Sequence, residues 1–221
     1  MGHLFIETLG TNPTYFFAVI ITIVISVTLH ELAHGWVAIW RGDDTPIRTG
    51  HMTLNPIVHM GIFSLILLAI AGIAFGQMPV DRTRLRGRYA EALVAVAGPV
   101  MNFLLGLLAA VALGLWYRFG TFNPESSMQN NALTLLRVFT VYNFALGVFN
   151  LIPIPPLDGS WIVANFIPPY RRLMSAELVR GITSALIFAM FLGGAQYVFV
   201  AAYILAGLIV TTVAGPHGLS V

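Results

Sequence analysis

Two histidines and a glutamate form the most specific chemical pattern in the chain. His30-Glu31-Leu32-Ala33-His34 has the form HExxH. Residues four apart share one face of a helix, so both imidazoles can reach one zinc ion. Glu31 then lies beside the metal and can take a proton from a water held there, as a general base. The surroundings sharpen this reading. The run from about Tyr15 to Trp40 is otherwise apolar and exceeds the ~20 residues needed to cross a bilayer. A charged group at that depth costs roughly 2.5 kcal/mol or more on insertion scales. Three ionisable groups together in one span therefore point to function.

Catalytic zinc takes three protein ligands and keeps one position open for water. The chain has no cysteine, which leaves His, carboxylate and backbone oxygen as donors. Among the nine acidic residues, Glu7, Asp43, Asp44, Asp81, Glu125 and Glu177 fall in termini or loops, and Glu91 beside an arginine cluster reads as an ion-pair partner. Asp158 differs, because it follows the proline break Pro153, Pro155 and Pro156 at the end of a later apolar run. On spacing alone it fits a third ligand and a plain Asp-Gly turn equally well. His51 and His59 read as interfacial packing, with a ligand role only in place of Asp158.

These residues must be positioned by membrane helices. Of 221 residues, 57% are hydrophobic and 9% charged, against about 25% charged in soluble domains. The expected fold is an all-α membrane protein, a multi-pass helical bundle of about 4–6 membrane segments. Spans are expected over about 15–40, 90–116 and 132–152. The long stretch Ile182–Val213, divided by Gly193-Gly194, reads as a helical hairpin or one broken helix. The run Ile62–Phe75 has 14 residues, a length that suits a re-entrant or interfacial segment. Gly76-Gln77-Met78-Pro79-Val80 is expected as a short edge strand near the site, able to hold a substrate extended, or else as an ordinary turn.

All eleven basic residues are arginines, and short cytoplasmic loops are rich in Lys and Arg. Arg41 and Arg48 follow the first span, Arg82, Arg84, Arg86 and Arg88 precede the next, and Arg171, Arg172 and Arg180 follow the third. The amino terminus is thus expected outside, with residues 77–89 in the cytoplasm. His34 then lies about 10 Å from the cytoplasmic end of its helix at ~1.5 Å per residue, so the site is nearer that face. Arginines beside spans form no soluble basic face, and nucleic acid is not an expected partner. The chain reads as one domain over 1–221. The loop 117–131 is too short for an inserted peptide-binding domain, and the residues after Val213 are too few for a C-terminal sensing domain.

Further blocks accompany HELAH in order: Gly42-Asp43-Asp44-Thr45, Gly50-His51-Met52-Thr53-Leu54-Asn55-Pro56, Ala97-Gly98-Pro99-Val100-Met101-Asn102, and Asn150-Leu151-Ile152-Pro153-Ile154-Pro155-Pro156-Leu157-Asp158-Gly159. Jointly they span roughly residues 20–165 and resemble the site-2 protease family of intramembrane zinc metalloproteases, in its short prokaryotic branch. The resemblance implies a zinc metalloendopeptidase of a prokaryotic cell membrane acting on transmembrane protein substrates in the lipid bilayer. It implies one zinc ion held by His30, His34 and Asp158, with Glu31 as general base. It also implies that Asn150 lies near the site, where its amide could stabilise an oxyanion; interhelical hydrogen bonding is the other reading of that residue. Gly98, Pro99 and Asn102 are read as helix packing around the site. One departure stands out: His59 is followed by Met60-Gly61, where many relatives carry Asp-Pro. Two other classes fit the same residues. A membrane ion or metal carrier could use the His/Asp cluster, and would tolerate Gln at position 31. A catalytically silent scaffold would lack a ligand, and all four residues are present.

Overall fold

The computed structural model describes residues 4–121, 123–176, 179, 181–183, 185–186 and 190–216. Helix α1 spans Pro13–Trp40. The Asn12 side chain accepts a hydrogen bond from Tyr15 N at its start, and Pro13 occupies the first turn, where a missing N–H costs nothing. The helix ends at Arg41 and Gly42, whose φ of 100° is open chiefly to glycine. Asp43, fully buried, pins the loop beyond. Its carboxylate accepts from Thr45 N and Oγ1 and, at 2.7 Å, from Asp81 N.

Helix α2, Pro56–Ala71, repeats the Asn-Pro start: Asn55 accepts from Ile57 N at 3.0 Å. Its 16 residues rise only about 24 Å at ~1.5 Å each, less than the ~30 Å apolar core. Gly61 interrupts it with non-helical angles. It runs antiparallel to α1, since its last residues and Gly72 meet Phe5, and Phe5 stacks on Phe16 near the start of α1. The chain then returns extended. Ser64 Oγ bonds both Phe75 N and O, Gln77 N donates to His59 O, and Asp81 closes the return on Asp43. Residues 56–81 thus run out along a helix and come back beside it, a path that suits the re-entrant and the interfacial reading alike. The expected edge strand over 76–80 is not borne out: among the described residues there is no strand. The physical reason lies in the neighbour. The returning arm lies along a helix, and its main-chain groups are taken singly by Ser64 and His59, so no ladder can form.

Helices α3, Ala90–Phe119, and α4, Ser127–Asn150, complete a three-helix core with α1. A proline-rich turn leads from α4 to α5, Asp158–Phe166, and then to α6, Pro168–Ser175. Helix α7, Ala195–Ala214, begins after a π-helical turn over Met190–Gly194 and packs on α3 and α4. The backbone at Gly193-Gly194 is thus π-helical and runs on directly into α7. Whether the stretch from Ile182 forms a hairpin falls largely on positions outside the described residues, as do Glu177 and Arg180. Among the described residues, α1, α3, α4 and α7 are long and apolar enough to cross a membrane.

Packing follows bilayer rules. Val19, Ile23 and Val27 of α1 join Met60 and Leu68 of α2 and Val138 of α4 in one buried cluster. Ala110, Phe144, Ala145, Val198, Ala202 and Ala206 form another between α3, α4 and α7. Small residues there bring backbones close, because packing drives association once both helices are in lipid. Large apolar side chains face outward, including Phe17, Ile21, Leu104, Leu108, Tyr203 and Leu208, while Thr22, Ser26, His30, Glu31 and His34 are buried.

Candidate metal centre

Helix α1 delivers three polar side chains to one point. His30, Glu31 and His34 are each 7% exposed, and successive turns stack the two imidazoles with centroids 4.6 Å apart and nearly perpendicular planes. Asp158 arrives from the other side. Three prolines prevent α4 from continuing, and the turn through 151–157 starts α5 with Asp158 as its first residue. Gly159 makes this turn possible: a Cβ there would lie 2.2 Å from Leu151 O.

The three side chains converge. His30 Nε2 is 3.1 Å from Asp158 Oδ2, His34 Nε2 is 3.4 Å from Asp158 Oδ1, and the two Nε2 atoms are 3.0 Å apart. All three candidate ligand atoms lie within 4.8 Å of one another. The donor set fits a zinc ion in two respects. His34 Nδ1 lies 2.7 Å from the Val94 carbonyl, which can only accept, so Nδ1 carries the proton and Nε2 presents its lone pair. The buried Asp158 Oδ2 faces only His30 Nε2, at 3.1 Å, and a carboxylate oxygen so placed opposite a ring lone pair is costly unless a cation lies between them. Two imidazoles and a carboxylate with an open fourth side are the ligand pattern of catalytic zinc.

Gly98 of α3 makes the room. A Cβ at that position would sit 2.4 Å from His30 Nε2 and 2.5 Å from His34 Nε2. Gly76 does the same for Glu31, whose Oε1 would lie 2.6 Å from a Cβ there. The extended return thus passes directly over the glutamate.

A cavity of about 660 Å³ opens beside these groups. His30, Glu31, His34 and Asp158 line it, and so does Asn150, whose Nδ2 donates to Leu146 O at 3.1 Å. The spare histidines are not part of the cluster. His59 is buried with Nε2 2.7 Å from Thr53 O, and His51 Nδ1 lies 2.9 Å from Thr49 Oγ1. Glu91 pairs with Arg171.

Two features escaped sequence reasoning. Asn102, read as packing, lies 2.6 Å from His30 Nδ1 through its Oδ1; its position as a polar residue within an apolar span was the available signal. Arg82, counted among the loop arginines, turns inward to line the cavity and stacks on Trp161. Burial pushes its guanidinium down to about 10, against the pull of Glu91 and Asp158, so it remains a cation at neutral pH.

The sequence profile described as Peptidase family M50 matches residues 18–120 and 118–194. The chain is 37% identical over 155 residues to YwhC of Bacillus subtilis, named as a candidate zinc metalloprotease, covering 69% of this chain and 70% of that one. It is 28% identical to a zinc metalloprotease of Methanocaldococcus jannaschii, over 83% of this chain and 44% of that protein. A candidate zinc metalloprotease of Mycolicibacterium smegmatis, Rip2, is 32% identical over 65% of this chain and 55% of its own length. The chain thus spans about half the length of the latter two. No solved structure matches it significantly.

Proposed function

This chain belongs to peptidase family M50, the site-2 protease family, and on that footing we propose that it cuts peptide bonds of membrane-embedded proteins within the bilayer. The observation that carries the proposal is the convergence of His30, His34 and Asp158 within 4.8 Å, in one cavity with Glu31. His30 and His34 would hold the ion through Nε2, and Asp158 through its carboxylate. When bound, zinc polarises the scissile carbonyl and lowers the pKa of water. Glu31 takes the proton of the attacking water and returns it to the departing amine, a role worth ~10²–10⁴-fold. Asn150 has one amide N–H committed to Leu146 O, and its other can donate to the oxyanion as charge develops. Val27, Val94, Ala95 and Leu146 line the cavity beside these groups, and low-dielectric walls of this kind strengthen each electrostatic contact.

Metal content tests the reading. The purified chain should hold one zinc per polypeptide. Stripping it with a chelator should abolish cleavage of a transmembrane test substrate, and restoring zinc should recover it. Undiminished cleavage by metal-free protein would refute the proposal.

A further inference from the structure

We infer that Asn102 and Asn143 form a relay that fixes the ring of His30, with Nδ1 protonated and Nε2 presented to the metal. The inference rests on the zinc reading above and concerns residues outside the ligand set. Both asparagines are fully buried, Asn102 on α3 and Asn143 on α4. A chain of hydrogen bonds joins them to α1. Asn143 Nδ2 donates to Phe139 O at 2.9 Å, Asn102 Nδ2 donates to Asn143 Oδ1 at 3.2 Å, and Asn102 Oδ1 faces His30 Nδ1 at 2.6 Å.

The direction of this chain is set at its far end. A backbone carbonyl accepts and cannot donate. Phe139 O therefore claims the nitrogen side of the Asn143 amide, and the oxygen side must face Asn102. Asn102 then turns its own nitrogen to Asn143 and its oxygen to His30. An oxygen acceptor at that point requires a proton on Nδ1, which leaves the Nε2 lone pair directed at His34 and Asp158. Each amide is held in one of its two orientations by the next, and the last is held by main chain. His34 reaches the same tautomer through the Val94 carbonyl, so only His30 depends on side chains for it. Outer partners of this kind orient ligating histidines and raise their basicity. A pair serving only to join helices would not need to end on a ring nitrogen of the cluster.

The test is zinc affinity, measured on the full chain in detergent by competition with a chromophoric chelator, alongside the melting temperature of the metal-free protein. Removing such a partner costs about 10–100-fold in metal affinity, and Asn102→Leu should fall in that range. Asn102→Asp keeps an oxygen toward His30 but loses the donor toward Asn143. It should bind zinc within about threefold of wild type while melting lower. Asn143→Leu should weaken binding several-fold, and the double Leu variant should bind no more weakly than Asn102→Leu alone, since the two act in series. If Asn102→Leu does not fold, Asn143→Leu reads the relay from its other end. Wild-type affinity in either Leu variant, or equal losses from Asp and Leu at position 102, would overturn the relay. A wild-type chain that binds no zinc would instead refute the metal reading itself.

Discussion

Gly98 shows how little space the centre allows. Its missing side chain is what lets α3 press against the imidazoles of His30 and His34, with a Cβ 2.4–2.5 Å from the two Nε2 atoms if one were added. Gly98→Ala should therefore displace at least one imidazole and lower zinc affinity by about an order of magnitude or more, the scale seen when ligand orientation is disturbed. Chelator competition on the purified variant checks this, and wild-type affinity would show that the rings sit elsewhere. At this scale the sequence was legible where spacing alone fixes geometry. His30 and His34 share a helix face whatever surrounds them, so HExxH announced their pairing. Asp158 was legible only through its motif, because a turn residue after three prolines could point anywhere. Asn102 was not legible as a partner of His30, since the contact joins residues 72 apart and nothing local encodes it. The place of Arg82 in the cavity was not legible either, since a loop arginine ordinarily faces water and this one is turned inward over Trp161.

Among the elements, the helix and returning arm over residues 56–81 bring Gly76 against Glu31. The segment's length and flanking arginines pointed to its path, because a 14-residue apolar run with arginines on both sides is too short to cross and is expected to return. Its return arm was harder to read. An extended segment becomes a strand only with another strand beside it, and here the neighbour is a helix, so Gly76 and Gln77 are extended without a ladder. The same elements carry a topology prediction. With the arginine clusters inside, Gly10→Cys should react with a membrane-impermeant thiol reagent on intact cells, and Thr83→Cys should react only after the membrane is opened. Both positions are exposed, and the chain has no cysteine of its own. Labelling of Thr83→Cys from outside would invert the orientation and move the metal centre to the opposite face.

The whole molecule is arranged with apolar surface outward and polar groups inward. Composition foretold this: a chain that is 57% hydrophobic has too little polar surface to cover itself, so its scarce ionisable groups are either at the membrane faces or in the interior for a purpose. The bundle puts Arg41, Arg48, Arg84 and Arg86 with the loops that follow or precede spans, and His30, Glu31, His34 and Asp158 around one cavity. Hydrolysis in this cavity, as proposed, depends on Glu31 as the base. Glu31→Gln tests it most directly, because the amide is nearly isosteric and cannot take a proton. Zinc content and cleavage of a transmembrane substrate should be measured together on the same preparation. Zinc should stay at the wild-type level while cleavage falls by ~10²–10⁴-fold. Cleavage near the wild-type rate with zinc retained would contradict this dependence on Glu31.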